Sequence, residues 1–356
     1  MKSSSGAYYP GLDHIRAVAA FLVFVWHFSH STTGTPVPFN LSPEIGLLDE
    51  GHVGVALFMT LSGYLFAKLI RGKVNYAAFL WNRAIRLLPL LLVVMAIVGV
   101  VEHREPASYF RLLIGGALLP QLPNGGWSIT AEAHFYVLLP LLLWLANRRV
   151  EWLLLAIGFA IILRLGLFYA GLDLPNLAYK TIVGRFDQFT LGIAGFYVRD
   201  RISGKAALAA LISLLAFYSA FDFAGGYYNL RLPILWAFIS TIEGACFGIL
   251  IAWYDRHPLT NSWTWIVRKA GEYSYSIYLL HFFVVFSAAG WINRNVMNLP
   301  TVYHALPWAI LLFLCMIGVG HVSWKLVEQP FLRLRKPYTL TQQGDDRPAR
   351  LRTIPQ

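Results

Sequence analysis

The sequence predicts an all-α integral membrane protein with about ten transmembrane helices and with both its N- and C-termini in the cytoplasm. Three observations carry that expectation: an apolar composition, apolar runs that recur along the whole chain, and basic residues gathered at alternate connections. Of the 356 residues, 57% are hydrophobic and only 13% charged, and the mean hydropathy is +0.55. Ordinary soluble domains carry about 25% charged residues, so a water-exposed fold is excluded.

At about 20 residues per span, apolar segments fall near residues 15–33, 53–70, 84–101, 127–146, 151–170, 181–198, 206–221, 233–253, 274–292 and 305–324. The basic clusters Lys68/Arg71/Lys73/Arg83/Arg86, Arg148/Arg149, Arg199/Arg201/Lys205, Arg256/Arg268/Lys269 and Lys325 to Arg352 sit at every second connection. Basic residues favour the cytoplasmic side, and this pattern sets the orientation. Residues 106–122 are too interrupted, by Arg111 and Pro120, to count as a span, and a crossing there would put Arg148/Arg149 on the wrong side. They are read as an outer segment, with a re-entrant path left open.

The apolar runs make one membrane domain over residues 1–336, followed by a polar cytoplasmic tail at 337–356 expected to be disordered. No cleavable signal peptide is read, because Asp13, His14 and Arg16 interrupt the first apolar stretch. Cys246 and Cys315 lie in apolar segments and read as packing residues, so neither a disulfide nor a metal site is expected. The net charge of +11 is topogenic by position, which argues against a nucleic-acid partner.

Function is sought among polar residues that a bilayer would otherwise exclude, since each costs roughly 2.5–3.5 kcal/mol at a span centre. Arg16 and His27 are eleven residues apart in the first span, a separation that returns a helix to within about 20° of the same face, about 16 Å deeper. Arg16 is placed to meet a phosphate at the rim, and His27 to take a proton in the interior. The structural alternative is an arginine that snorkels and a histidine that is merely hydrogen-bonded. Arg83 and Arg86 share a face at i and i+3, suited to donor phosphates or to simple anchoring. Glu132 and His134 lie one or two turns inside the fourth span beside Trp127, and Ser128 is placed to cap that helix. Arg164, Arg185, Asp187, Glu243 and His281 either serve chemistry or pair with one another as a buried network.

Six strings, in this order, resemble the acyltransferase 3 family of membrane acyltransferases, which includes bacterial O-antigen and exopolysaccharide O-acetylases. They are YPGLDHIRAVAAFLVFVWH with its Arg, ten residues, His pattern; GHVGVALFMTLSGYLF; FLWNRAIRLLPL with RxxR and a proline; NGGWSITAEAHFYVLLPLL; GEYSYSIYLLHFFVV; and VEQPFLRLRK. The resemblance implies ten helices, His27 as the essential acid/base or acyl-carrying histidine with Glu132 in catalysis, and Arg16, Arg83 and Arg86 as ligands of an acyl-CoA donor. Trp127 would belong to the same cavity, and Asp13, Ser128, Asp187 and His281 are further substrate-cavity candidates. Ala56 stands where many members carry Asp, so a carboxylate role there would pass to Asp13, Glu132 or Asp187, or be absent.

The implied activity is transfer of an acyl group, acetyl above others, from cytoplasmic acyl-CoA to a hydroxyl of a cell-surface or lipid-linked carbohydrate in the bacterial inner membrane. Acyl-CoA is then a donor substrate, with no permanently bound cofactor expected. The partners are the carbohydrate and the lipid bilayer. A transporter or flippase of a glycan or small solute is the competing class, because buried Arg, Glu and His also mark substrate paths.

Overall fold

The computed structural model describes residues 9–31, 42–70, 74–229 and 231–338. Arg71, Lys73 and residues 339–356 of the expected tail lie outside the described residues. Every segment expected to span is helical, and no strand forms among the described residues. The principal helices are α1 (Pro10–Ser29), α2 (Gly54–Leu69), α3 (Tyr76–Val101), α4 (Pro106–Gly115), α5 (Trp127–Arg148), α6 (Trp152–Tyr169), α7 (Ile182–Val198), α8 (Gly204–Phe223), α9 (Ile239–Tyr254), α10 (Thr264–Glu272), α11 (Ser274–Leu280), α12 (Phe282–Asn295) and α13 (Val302–Ser323).

Seven of the described helices are long and apolar enough to cross a membrane, and eight if α11 and α12, bent by 60°, form one broken span. The two expected spans that fall short are α7, with 17 residues, and α9, with 16. Both are central helices, and α7 buries Arg185, Asp187 and Gln188 against protein rather than lipid. Hydropathy selects for lipid contact, so it weakens where a helix faces only its neighbours. Helix α4 has 10 residues, about half of what a crossing needs.

Close crossings through small residues hold the centre together. A Cβ on Gly63 of α2 would lie 2.0 Å from the Phe189 carbonyl oxygen of α7, and one on Gly192 would lie 2.0 Å from that of Thr60. Backbones that near each other gain packing where the bilayer supplies no hydrophobic drive between helices. Around this centre α1 and α2 are mostly enclosed, with 78% and 72% of their apolar windows buried, whereas α6 is 22% buried and turns Leu155, Phe159 and Ile162 outward. A second apolar core joins Phe24 and Phe28 of α1 to Val285 of α12 and to Phe313 and Met316 of α13.

After α13 the chain makes a π-helical turn, Trp324–Glu328, and one α-helical turn, Gln329–Leu332. It then runs back over the start of α3. The Asn75 N–H donates to the Tyr338 carbonyl at 2.8 Å, and Tyr338 is buried against Phe79. Two residues of the expected tail are thus packed on the bundle.

Candidate active site

Arg16, Arg83, Arg86, Ser128 and Glu132 line one cavity of about 110 Å³, with Phe58, Tyr275 and Tyr278 among its walls. Helix periodicity brings Arg83 and Arg86 to one face of α3, and α1 and α5 supply the rest. Arg16 is bound to Asp13 one turn back on α1, so Asp13 serves as a buried counter-ion. Arg83 is different. Its guanidinium lies over the rings of Phe66 at 5.2 Å and Phe79 at 5.6 Å, and its buried Nε meets no acceptor among the described residues.

Glu132 is positioned through a proline. Pro140 inside α5 lacks the N–H that would bond the Tyr136 carbonyl, and the Tyr76 hydroxyl donates to that carbonyl instead. The Tyr136 hydroxyl in turn donates to Glu132 Oε1 at 2.6 Å. Ser128 Oγ donates to the Gly125 carbonyl at 2.9 Å, completing the turn into α5, and the Tyr278 hydroxyl donates to the same oxygen at 3.2 Å. Gly125 has φ +73°, and a Cβ there would lie 2.8 Å from the Tyr278 hydroxyl, so the turn requires glycine on both counts.

His27 lies outside the cavity lining, one layer further along α1. The ring of Tyr278 is 6.1 Å from that of His281, and His281 Nε2 lies 3.2 Å from His27 Nδ1. The tautomers follow from the partners. His27 Nδ1 faces the Val23 carbonyl at 2.9 Å, and His281 Nδ1 faces the Ile277 carbonyl at 3.1 Å. Carbonyls only accept, so each Nδ1 carries the hydrogen. The Nδ1–H of His27 is shared between Val23 and the lone pair of His281 Nε2, which leaves Nε2 of His27 as the basic nitrogen. An imidazolium formed there would point its Nδ1–H at two acceptors. His281 stands at the 60° break between α11 and α12, the place where an intramembrane helix can offer a side chain out of register.

Other expected residues are placed elsewhere. Asp187 does not line the cavity. It takes Arg164 Nη1 at 3.2 Å and Nη2 at 2.6 Å, both side chains being fully buried, and Arg164 Nε donates to the Ala237 carbonyl at 2.8 Å. Trp127 packs on Tyr179 and beneath the Arg185 guanidinium, also outside the cavity lining. Arg185 donates to Gln188, Gln188 to Glu243 at 2.6 Å, and Tyr218 to Glu243, a buried network of the kind the sequence allowed. With Asp13 and Asp187 engaged, Glu132 is the carboxylate left to the cavity, and the neighbour of His27 is His281. Sequence reasoning assigned no role to Glu328, which accepts from Ser276 Oγ, lies within electrostatic reach of Arg86 and sits in the π-helical turn.

A membrane-embedded helical bundle with a cationic cavity beside a base-ready histidine defines an acyl-transfer enzyme of the membrane type. The chain belongs to the acyltransferase 3 family: residues 9–324 match its acyltransferase domain. It is 24% identical to the peptidoglycan O-acetyltransferase OatA of Listeria monocytogenes over 92% of this chain and 56% of that protein, so it spans about half of that relative's length. It is 26% identical to the acyltransferase MdmB of Streptomyces mycarofaciens, over 78% of this chain and 79% of that protein. To the O-acetyl transferase of Shigella phage Sf6 it is 24% identical, over 91% and 96%. No solved structure matches it. The chain is an acyltransferase.

Proposed function

We propose that the enzyme moves an acyl group, acetyl before longer ones, from cytoplasmic acyl-CoA to a hydroxyl of a cell-surface or lipid-linked carbohydrate. In this reading all ten helical segments cross the bacterial inner membrane, with α11 and α12 as one broken span, and both termini and the arginine mouth face the cytoplasm. The observation that carries the reading is the convergence of Arg16, Arg83 and Arg86 on one cavity in which Arg83 has no protein acceptor. Such a set suits the phosphates of a nucleotide-bearing donor, whose thioester arm would extend past Ser128 and Tyr278 toward His27. The peptidoglycan named for the Listeria relative supports a carbohydrate acceptor.

His27 Nε2 removes the proton of the acceptor hydroxyl, whose oxygen attacks the thioester carbonyl. The C–S bond then breaks, and the imidazolium returns its proton to the leaving thiolate, giving an ester and free CoA. A two-step route, in which Nε2 itself first takes the acyl group, uses the same nitrogen. Glu132 orients the donor or the hydroxyl from the cavity wall.

The test is mass spectrometry of cell-envelope glycans from cells expressing the native chain or His27→Ala at matched membrane levels. A sugar mass increment of one acyl group, present only with the native chain, is the expected result. Movement of a glycan or solute with no acyl increment and no CoA release would favour transport instead.

A further inference from the structure

Three cations stand on the extended segment that follows the last helical turn: Arg333, Arg335 and Lys336. Arg333 and Lys336 are exposed, whereas Arg335 is turned inward. The segment is pinned on both sides of Arg335. Trp81 Nε1 donates to the Leu334 carbonyl at 3.0 Å. Asn82, buried between the donor-facing arginine Arg83 and Trp81, closes a two-bond clamp on Lys336: its Nδ2 donates to the Lys336 carbonyl at 2.7 Å, and its Oδ1 accepts the Lys336 N–H at 2.9 Å. Buried Tyr338 anchors the far end against Phe79.

This strap holds Arg335 against its own electrostatics. Burial first, and then the charges of Arg86 and Arg83, bring its pKa down to about 10. An arginine fixed beside two like charges is unfavourable unless an anion is shared among them. Arg335 is outside the lining of the cavity formed by Arg16, Arg83 and Arg86, so it borders the outer mouth, furthest from His27.

We propose that Arg335, presented by the Asn82-clamped strap, binds the terminal phosphate of the acyl donor, the 3′-phosphate on the ribose of coenzyme A. The inference rests on the acyl-CoA reading above and adds to it a residue beyond the RxxR pair. A donor threaded thiol-first toward His27 leaves that phosphate last, at the mouth, where Arg335 stands.

Binding of coenzyme A and of dephospho-coenzyme A, which lacks only that phosphate, tests it on the purified full chain in detergent free of anionic lipid. The native chain is expected to bind coenzyme A about tenfold more tightly than the dephospho form, as a charge-assisted bond of this kind provides. Arg335→Ala should abolish the difference by weakening coenzyme A alone. Asn82→Ala should do the same with the arginine still present, and Arg335→Lys should keep part of the preference.

Equal weakening of both ligands in Arg335→Ala would mean a packing role and overturn the inference. Unchanged binding of both, as for an arginine that meets only lipid headgroups, would overturn it as well. If Arg83→Ala loses coenzyme A while Arg335→Ala does not, the donor reading stands and this inference alone falls. If the native chain binds neither ligand, both fall.

Discussion

Arg164 and Arg83 are the same residue type inside the same bundle, and they are treated in opposite ways. Around Arg164 the guanidinium meets the Ala237 and Val183 carbonyls, both oxygens of Asp187 and the Thr241 hydroxyl, and nothing of the pair reaches the surface. Around Arg83 there are two aromatic faces, a buried Nε without an acceptor, and Arg16 and Arg86 on the same cavity. A buried ion pair saturated by its own protein fixes helix packing and has no donors left for a ligand. Cations gathered with fewer partners than they can hold are waiting for an anion. The distinction between structural and functional charge in this membrane domain is therefore one of satisfaction rather than of burial.

Breaking the saturated pair should have the largest effect. Asp187→Asn leaves Arg164 buried beside a neutral amide, a change that costs about 3–5 kcal/mol in comparable sites. It should reduce accumulation in the membrane and lower the melting temperature of the purified chain. A variant that folds normally but loses only catalysis would erase the contrast drawn here. Arg83→Ala with Arg86→Ala should do the reverse, raising the donor KM by about 100-fold at roughly tenfold per arginine, with expression and melting unchanged.

His281→Ala sharpens the picture at the histidine end. It removes one acceptor for the His27 Nδ1–H while the Val23 carbonyl remains, so kcat should fall by about tenfold, near the lower end of what outer-shell partners of a histidine contribute, with donor KM unaltered. A matching fall in donor affinity would make His281 part of the donor site instead. The smallest effect is expected at Asp49, in the short turn Gly46–Asp49 outside the spans. Its pKa is raised to about 8 by burial first, then by Asp222 and Glu50. The folded state holds that proton more tightly than the unfolded chain does, so stability falls as pH rises from about 4 to about 8. Asp49→Asn should raise the melting temperature most at pH 8 and less at pH 5, and the opposite order would contradict the assignment.

Much of this was legible in the sequence because spans and helix faces are local properties. The apolar runs mark every principal spanning helix, the i, i+3 spacing of Arg83 and Arg86 places both on one cavity wall, and the eleven-residue interval from Arg16 to His27 aligns them on α1. What escaped depends on other helices. Nothing local to Asp187 shows that Arg164, on the preceding long helix, consumes it. The pairing of His281 with His27 depends on a 60° break that the unbroken apolar run at 274–292 conceals. The inward turn of Arg335 depends on Asn82, some 250 residues away in the chain. Glu132 could be read as functional from its position, but its orientation by Tyr136 and Tyr76 arises from a carbonyl that Pro140 frees.

The most direct test of the central claim is the coupling of CoA release to acyl transfer by the purified chain in proteoliposomes supplied with acetyl-CoA and a glycan acceptor. The account predicts free CoA thiol appearing one for one with the acylated sugar in the native chain, and neither product with His27→Ala. Acyl transfer that proceeds with acetyl-CoA absent, or at the native rate without His27, would contradict it.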